Sequence, residues 1–140
     1  MGKNRAIGSP SSYELQIIKI LKKSKVSFQR EKTFRDLRGG KYRYDFYLPN
    51  YKGRQVLIEV DSEIHYSYIK FFHKDRAGFD KTRARDRRKN SYALSRSLEL
   101  YRIPYDEIEK MKVVEDILNP RFFVRTEDHN DKIILRRKER

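Results

Sequence analysis

The chain has 140 residues, of which 37% are apolar and 39% charged, and its net charge is +14; one domain with an economical core is expected. That charge points to a polyanionic partner, nucleic acid before an acidic membrane surface. The absence of cysteine excludes disulfides and thiolate metal sites and suits the cytoplasm, no run is long and apolar enough to span a bilayer, and no signal peptide is recognisable.

Residues 1–10 are polar and read as a flexible start, 11–125 as a single domain, and 126–140 as a basic extension or edge strand. Ser11 or Ser12 should cap a first helix running to about Lys25, with Ser11-x-x-Glu14 fitting the capping-box pattern. Leu15, Ile17, Ile18 and Leu21 give its apolar side. Two readings stand for Glu14: a plain capping residue, or a carboxylate pointing into a site at the edge of the core. Val26 to Phe34 reads as a strand with charged interruptions. Lys41 to Leu48 alternates clearly, with Tyr42, Tyr44, Phe46 and Leu48 on one face and Arg43, Asp45 and Tyr47 on the other. A hairpin connection at Pro49 to Gly53 leads into a strand from Gln55 to Asp61, whose apolar middle suggests a central position covered on both faces.

Ser62 to Phe79 reads as a loop or partly helical excursion. Asp80 is expected to cap a long helix to about Glu99, basic in its first half and packed through Leu94 and Leu98. A short strand follows at Glu99 to Ile103, then a helix from Asp106 to Leu118 with Ile108, Met111 and Ile117 inward. Arg121 to Val124 and Lys132 to Leu135 are candidate strands.

If the hairpin turns near Lys52, Asp45 and Glu59 fall opposite each other, about 5 Å apart at Cβ. Like charges so placed are unfavourable unless a cation lies between them, and a hard divalent ion with oxygen ligands resolves the conflict. Asp61 projects on the same face as Glu59, and His65 lies just past the strand end. Asp45 and Glu59 as metal ligands, Asp61 beside them, and His65 as general acid, general base or phosphate donor make a centre for phosphodiester hydrolysis; salt bridges to the abundant Lys and Arg are the duller reading. Arg83, Arg85, Arg87, Arg88 and Lys89 are candidate phosphate contacts. Asp86 among them either balances local charge or serves the site. His73 and His129 read as surface residues, and with three histidines in all a structural zinc site is not expected.

The order Asp45-Phe46-x-Leu-Pro, Leu-Ile-Glu59-Val-Asp61-x-x-x-His65-Tyr, Arg85-Asp86-x-x-Lys89-Asn90 and Leu100-Tyr-Arg102-Ile-Pro-Tyr105 resembles the very short patch repair endonucleases and the EDxHD homing endonucleases of phages and introns, within the PD-(D/E)XK superfamily. The resemblance spans about residues 11 to 118. It implies an α/β, restriction-endonuclease-like core of α-β-β-β-α-β order, with a mixed central sheet flanked by helices, and Mg2+-dependent cutting of double-stranded DNA, with Mn2+ able to substitute. On that likeness Asp45 and Glu59 take the metal-binding positions, Glu14 matches a helix-one glutamate that some members use, and Asp86, Lys89 and Arg102 match recurrent positions after the site. The usual lysine of the motif is replaced by Asp61, and Ser62 stands where the related branch has glycine, so the basic role passes to His65, Lys89 or an arginine. A bacterial or phage-infected cytoplasm is implied, with a homodimer open. Two alternatives stand beside this expectation: a structure-specific nuclease such as a Holliday junction resolvase, acting on branched DNA, and a non-catalytic nucleic-acid-binding module on a degenerate nuclease fold.

Overall fold

A computed structural model describes residues 8–68 and 75–138. The first helix, α1 (Ser12–Lys23), starts at a complete capping box: Glu14 N–H donates to Ser11 Oγ, and Ser11 N–H donates to Glu14 Oε1. Three strands follow, β1 (Gln29–Thr33), β2 (Arg43–Tyr51) and β3 (Arg54–Asp61). Then come α2 (Arg76–Ser95), β4 (Glu99–Pro104), a one-turn α3 (Val114–Ile117) and a C-terminal α4 (His129–Lys138). The sheet order is β1-β2-β3-β4, antiparallel across the first two pairs and parallel between β3 and β4. The parallel pair needs a crossover, which α2 supplies.

The β2–β3 hairpin turns at Lys52-Gly53, both with positive φ (52° and 83°), as a two-residue turn matched to strand twist requires; Asn50 Oδ1 accepts the Gly53 N–H. Tyr51 and Arg54 pair across this turn, and a one-residue register shift between Leu48 and Tyr51 then gives the pairs Leu48↔Val56 and Phe46↔Ile58. As expected, β3 is central and buried. Phe46, Leu48, Val56, Ile58 and Ile103 face Ile17, Ile20 and Leu21 of α1. Tyr44, Tyr47, Leu57 and Leu100 pack with Ala93 and Leu98 on the other side.

Tyr44 and Phe46 therefore lie on opposite faces, against the alternation read from sequence. The phase slips at Asp45. Pairing to β3 begins only at Phe46, and Glu31 on the β1 side has a positive φ of 53°. Side chains replace the ladder there: Asp45 N–H donates to Glu59 Oε1 at 2.7 Å, and Val60 N–H donates to Asp45 Oδ2 at 2.7 Å.

Other boundaries also differ. Asp75, not Asp80, caps α2 by accepting from Gly78 N–H, and Leu94 is 41% exposed instead of packed. Residues 105–118 are not one helix but a 3-10 turn (Tyr105–Lys110) followed by α3. Asp116 accepts from the Lys112 and Val113 N–H groups and so starts a new turn; Ile108, Met111 and Ile117 still point inward. Pro120–Phe122 is a 3-10 turn, with a single bridge from Phe123 to Tyr101 in place of a strand. Lys132 to Leu135 is helical, within α4, because Asn130 and Ile134 at one-turn spacing are its buried residues. Glu63–His65 forms a 3-10 turn, while His73 and residues 1–7 lie outside the described residues. No described helix is long and apolar enough to cross a membrane.

Candidate active site

Asp45 and Glu59 meet where β2 and β3 part, and α2 brings Lys89 to them. The buried stripe of α2 is Phe79, Thr82, Asp86, Lys89, Asn90 and Ala93, which recurs at helical spacing but is mostly polar. Lys89 Nζ donates to Glu59 Oε2 at 2.5 Å and also to the Arg43 carbonyl. Tyr44, buried, donates its hydroxyl to the Lys89 carbonyl at 2.8 Å. Lys89 thus leaves the exposed basic face expected for it and joins the carboxylates. Two of its three ammonium hydrogens are engaged, and one remains for a water or a phosphate oxygen. Burial, reinforced by the facing Glu59, pushes the Asp45 carboxyl well above the ordinary carboxylate range, against the pull of Lys89.

Behind this pair lies a second polar cluster. Arg102, fully buried on β4, donates through Nη1 to Asp61 Oδ1 at 2.7 Å and through Nε to Asn90 Oδ1 at 2.6 Å. Asn90 donates to Asn130 Oδ1 at 3.2 Å, and Asn130 donates to Asp61 Oδ2 at 2.9 Å. The four side chains close a ring, drawn from β3, β4, α2 and α4. Tyr66 adds a fifth contact, its hydroxyl donating to Asp61 Oδ2 at 2.9 Å. Asp61 is consequently 0% exposed with both oxygens occupied, so it orders its neighbours and does not face a substrate, contrary to its expected place among the reacting groups. Arg102 Nη1 also lies 3.8 Å from Glu59 Oε2, linking the ring to the carboxylate pair.

His65 is anchored from one side. Its Nδ1 is 3.0 Å from Asp86 Oδ2 and 3.7 Å from Asp61 Oδ1. Burial opposes a charged ring, but Asp61 and Asp86 outweigh it and raise the His65 pKa to about 8. Burial also opposes the Asp86 charge, yet Arg102 and His65 keep that carboxyl below its usual range. Asp86 is therefore no mere local charge balance. Glu14 stays in its capping box, 3.9 Å from Arg30, and reaches Asp45 only as a weak repulsive charge.

On the outer side of α2, Arg83 and Arg87 both bind Asp131 of α4, at 3.0 and 2.9 Å. Arg85 and Arg88 have no carboxylate partner among the described residues and line a groove with Arg38, Tyr42 and Lys81, with Arg88 donating to the Tyr42 hydroxyl at 3.4 Å. Sequence reasoning passed over Asn130, Tyr66 and Tyr44. Asn90 stands in a motif without a role of its own, and Asn130 lies in the 126–140 segment that reads as a basic extension or edge strand, which hides its helical spacing to Ile134.

Among the described residues, no group of three or more His, Cys, Asp or Glu is arranged to hold a metal ion. The donor set is two facing carboxylates, Asp45 and Glu59. That fits Mg2+, which commonly takes one or two carboxylates and completes its shell with water and phosphate oxygens, and it does not fit an ion that needs a full protein cage. In comparison with known proteins, no family model matches the chain, and no curated protein or solved structure matches it significantly.

Proposed function

We propose that the chain is a Mg2+-dependent DNA endonuclease on a restriction-endonuclease-like fold, at work in the cytoplasm of a bacterial or phage-infected cell. The observation that carries this reading is the Asp45–Glu59 pair at the break between β2 and β3, with Lys89 on Glu59. The α-β-β-β-α-β element order and the antiparallel–antiparallel–parallel sheet support the fold. In this reading the lysine that the motif places on the strand is supplied from α2 instead, and Asp61 occupies the vacated strand position as an internal anchor.

Asp45 and Glu59 would hold the ion, which when bound supplies a low-pKa water and neutralises phosphate charge. The free hydrogen of Lys89 orients a water or a non-bridging phosphate oxygen beside Glu59. His65, charged at neutral pH and held at Nδ1 by Asp86, presents Nε2–H to the leaving oxygen and protonates it. Arg85, Arg88 and Lys81 bind the flanking backbone.

Purified protein incubated with supercoiled plasmid in Mg2+, Mn2+ or EDTA tests this. Wild type is expected to nick or linearise the plasmid with either metal and not in EDTA. Asp45→Asn and Glu59→Gln should each lose roughly 10³-fold or more, the several kcal/mol that metal assistance supplies, while still binding DNA. Equal binding with no product on plasmid, single-stranded or branched DNA would make the chain a binding module; cutting confined to branched DNA would make it a junction-type nuclease.

A further inference from the structure

A second concentration of positive charge lies where β4 ends. A cavity of about 560 Å³ opens between the Tyr105–Lys110 turn, the Pro120–Phe122 turn and α4, within the roughly 300–1,000 Å³ typical of small-molecule sites. Five cationic side chains line it, against only Asp106 and Glu107. Asp106 holds Arg137 at 3.1 Å, Glu107 holds Arg121 at 2.5 Å, and Arg102 is engaged by Asp61 at 2.7 Å. Lys110 and Arg136 have no carboxylate partner among the described residues. His129 borders the same cavity, and its Nε2 is the one buried side-chain nitrogen or oxygen among the described residues without a hydrogen-bond partner. Such orphans are rare and ask for a ligand, an ion or a water.

We infer that this cavity is a second binding site, for a phosphate monoester carried by a free nucleotide or by the end of a nucleic-acid strand. Two uncompensated cations match the two charges of a terminal phosphate, and charge-assisted bonds from Arg and Lys are the strong ones. In its Nε2–H tautomer His129 donates a third bond to a phosphate oxygen. The Arg121 guanidinium, 4.6 Å over the Phe122 ring, offers a flat face on which a base can stack. A diffuse basic surface explains neither the buried orphan nor the concave shape. The inference stands apart from the cutting chemistry, because it uses neither Asp45 nor Glu59.

Calorimetric titration of the full chain tests it. The probes are deoxyadenosine 5′-monophosphate, deoxyadenosine, and a short duplex with or without 5′-phosphates. The phosphate is expected to improve affinity about tenfold or more in at least one probe pair, and Lys110→Ala/Arg136→Ala to abolish that gain. Lys22→Ala/Lys23→Ala, exposed in the last turn of α1 and outside the cavity lining, should leave it intact. A gain in the mononucleotide pair identifies a free nucleotide, and a gain confined to the duplex pair identifies a strand end. Thermal melts check that the variants fold; if the double variant does not, Arg136→Gln alone should lower the gain several-fold. No gain from the phosphate in either pair, or an equal loss in the Lys22/Lys23 variant, would overturn the inference.

Discussion

At the scale of residues, Asp45 and His65 are perturbed in ways that complement each other. Asp45 is raised by burial and by Glu59, so it binds its proton more tightly folded than unfolded. Its charge therefore costs stability at neutral pH, and the cost lessens as pH falls. A bound cation removes the same cost without a proton. His65 is raised to about 8, Asp61 and Asp86 outweighing burial. Its contribution to stability is complete below its unfolded value of about 6.5 and is lost as pH rises through about 8. In the proposed reaction, where His65 donates the proton, cleavage should decline over the same alkaline range. His65→Ala is expected to lose that limb and roughly 10²–10⁴-fold in rate. A pH–rate profile with the limb unchanged in the variant would assign proton transfer elsewhere.

At the scale of elements, α2 and α4 decide what the strands can do. The sheet is largely legible in the sequence: β2, β3 and β4 are placed, and a turn near Lys52 predicts Asp45 opposite Glu59, a register that the structure reaches through a one-residue shift between Leu48 and Tyr51. Strand alternation and turn chemistry are local signals. The slip at Asp45 was not legible, because side chains take over the ladder only once β1, β2 and β3 are together. The inward stripe of α2 was hidden for another reason. It carries Asp86, Lys89 and Asn90, which an apolar-period reading assigns to solvent. For α4, β-branched Ile133 and Ile134 suggested a strand, while the fold uses Asn130 to complete the ring around Asp61. Asn130→Ala removes one of the two donors to Asp61 Oδ2 and one acceptor of the Asn90 amide and should cost about 1–3 kcal/mol in denaturant unfolding. A change below a few tenths of a kcal/mol would mean that the ring closes without α4.

At the scale of the whole molecule, the charge of +14 is divided between uses that composition alone does not separate. Lys89 and Arg102 are internal and neutralise carboxylates; Arg83 and Arg87 tie α2 to α4 through Asp131. Arg85 and Arg88 are exposed and have no carboxylate partner among the described residues. Arg85→Ala/Arg88→Ala should weaken DNA binding across sequences and reduce the slope of log K against log salt by about 2, one for each phosphate that the variant no longer neutralises. Arg83→Ala should change that slope little and lower the melting temperature instead. The reverse pattern would place the DNA path over α4.

The proposed chemistry requires Asp45 and Glu59 to form a divalent-cation site. Electron paramagnetic resonance titration with Mn2+, in the presence of duplex DNA, tests it directly. Wild type should bind one Mn2+ that Asp45→Asn and Glu59→Gln no longer bind, with DNA affinity kept. Equal Mn2+ binding by all three proteins would place the cation elsewhere and rule out the Asp45–Glu59 site.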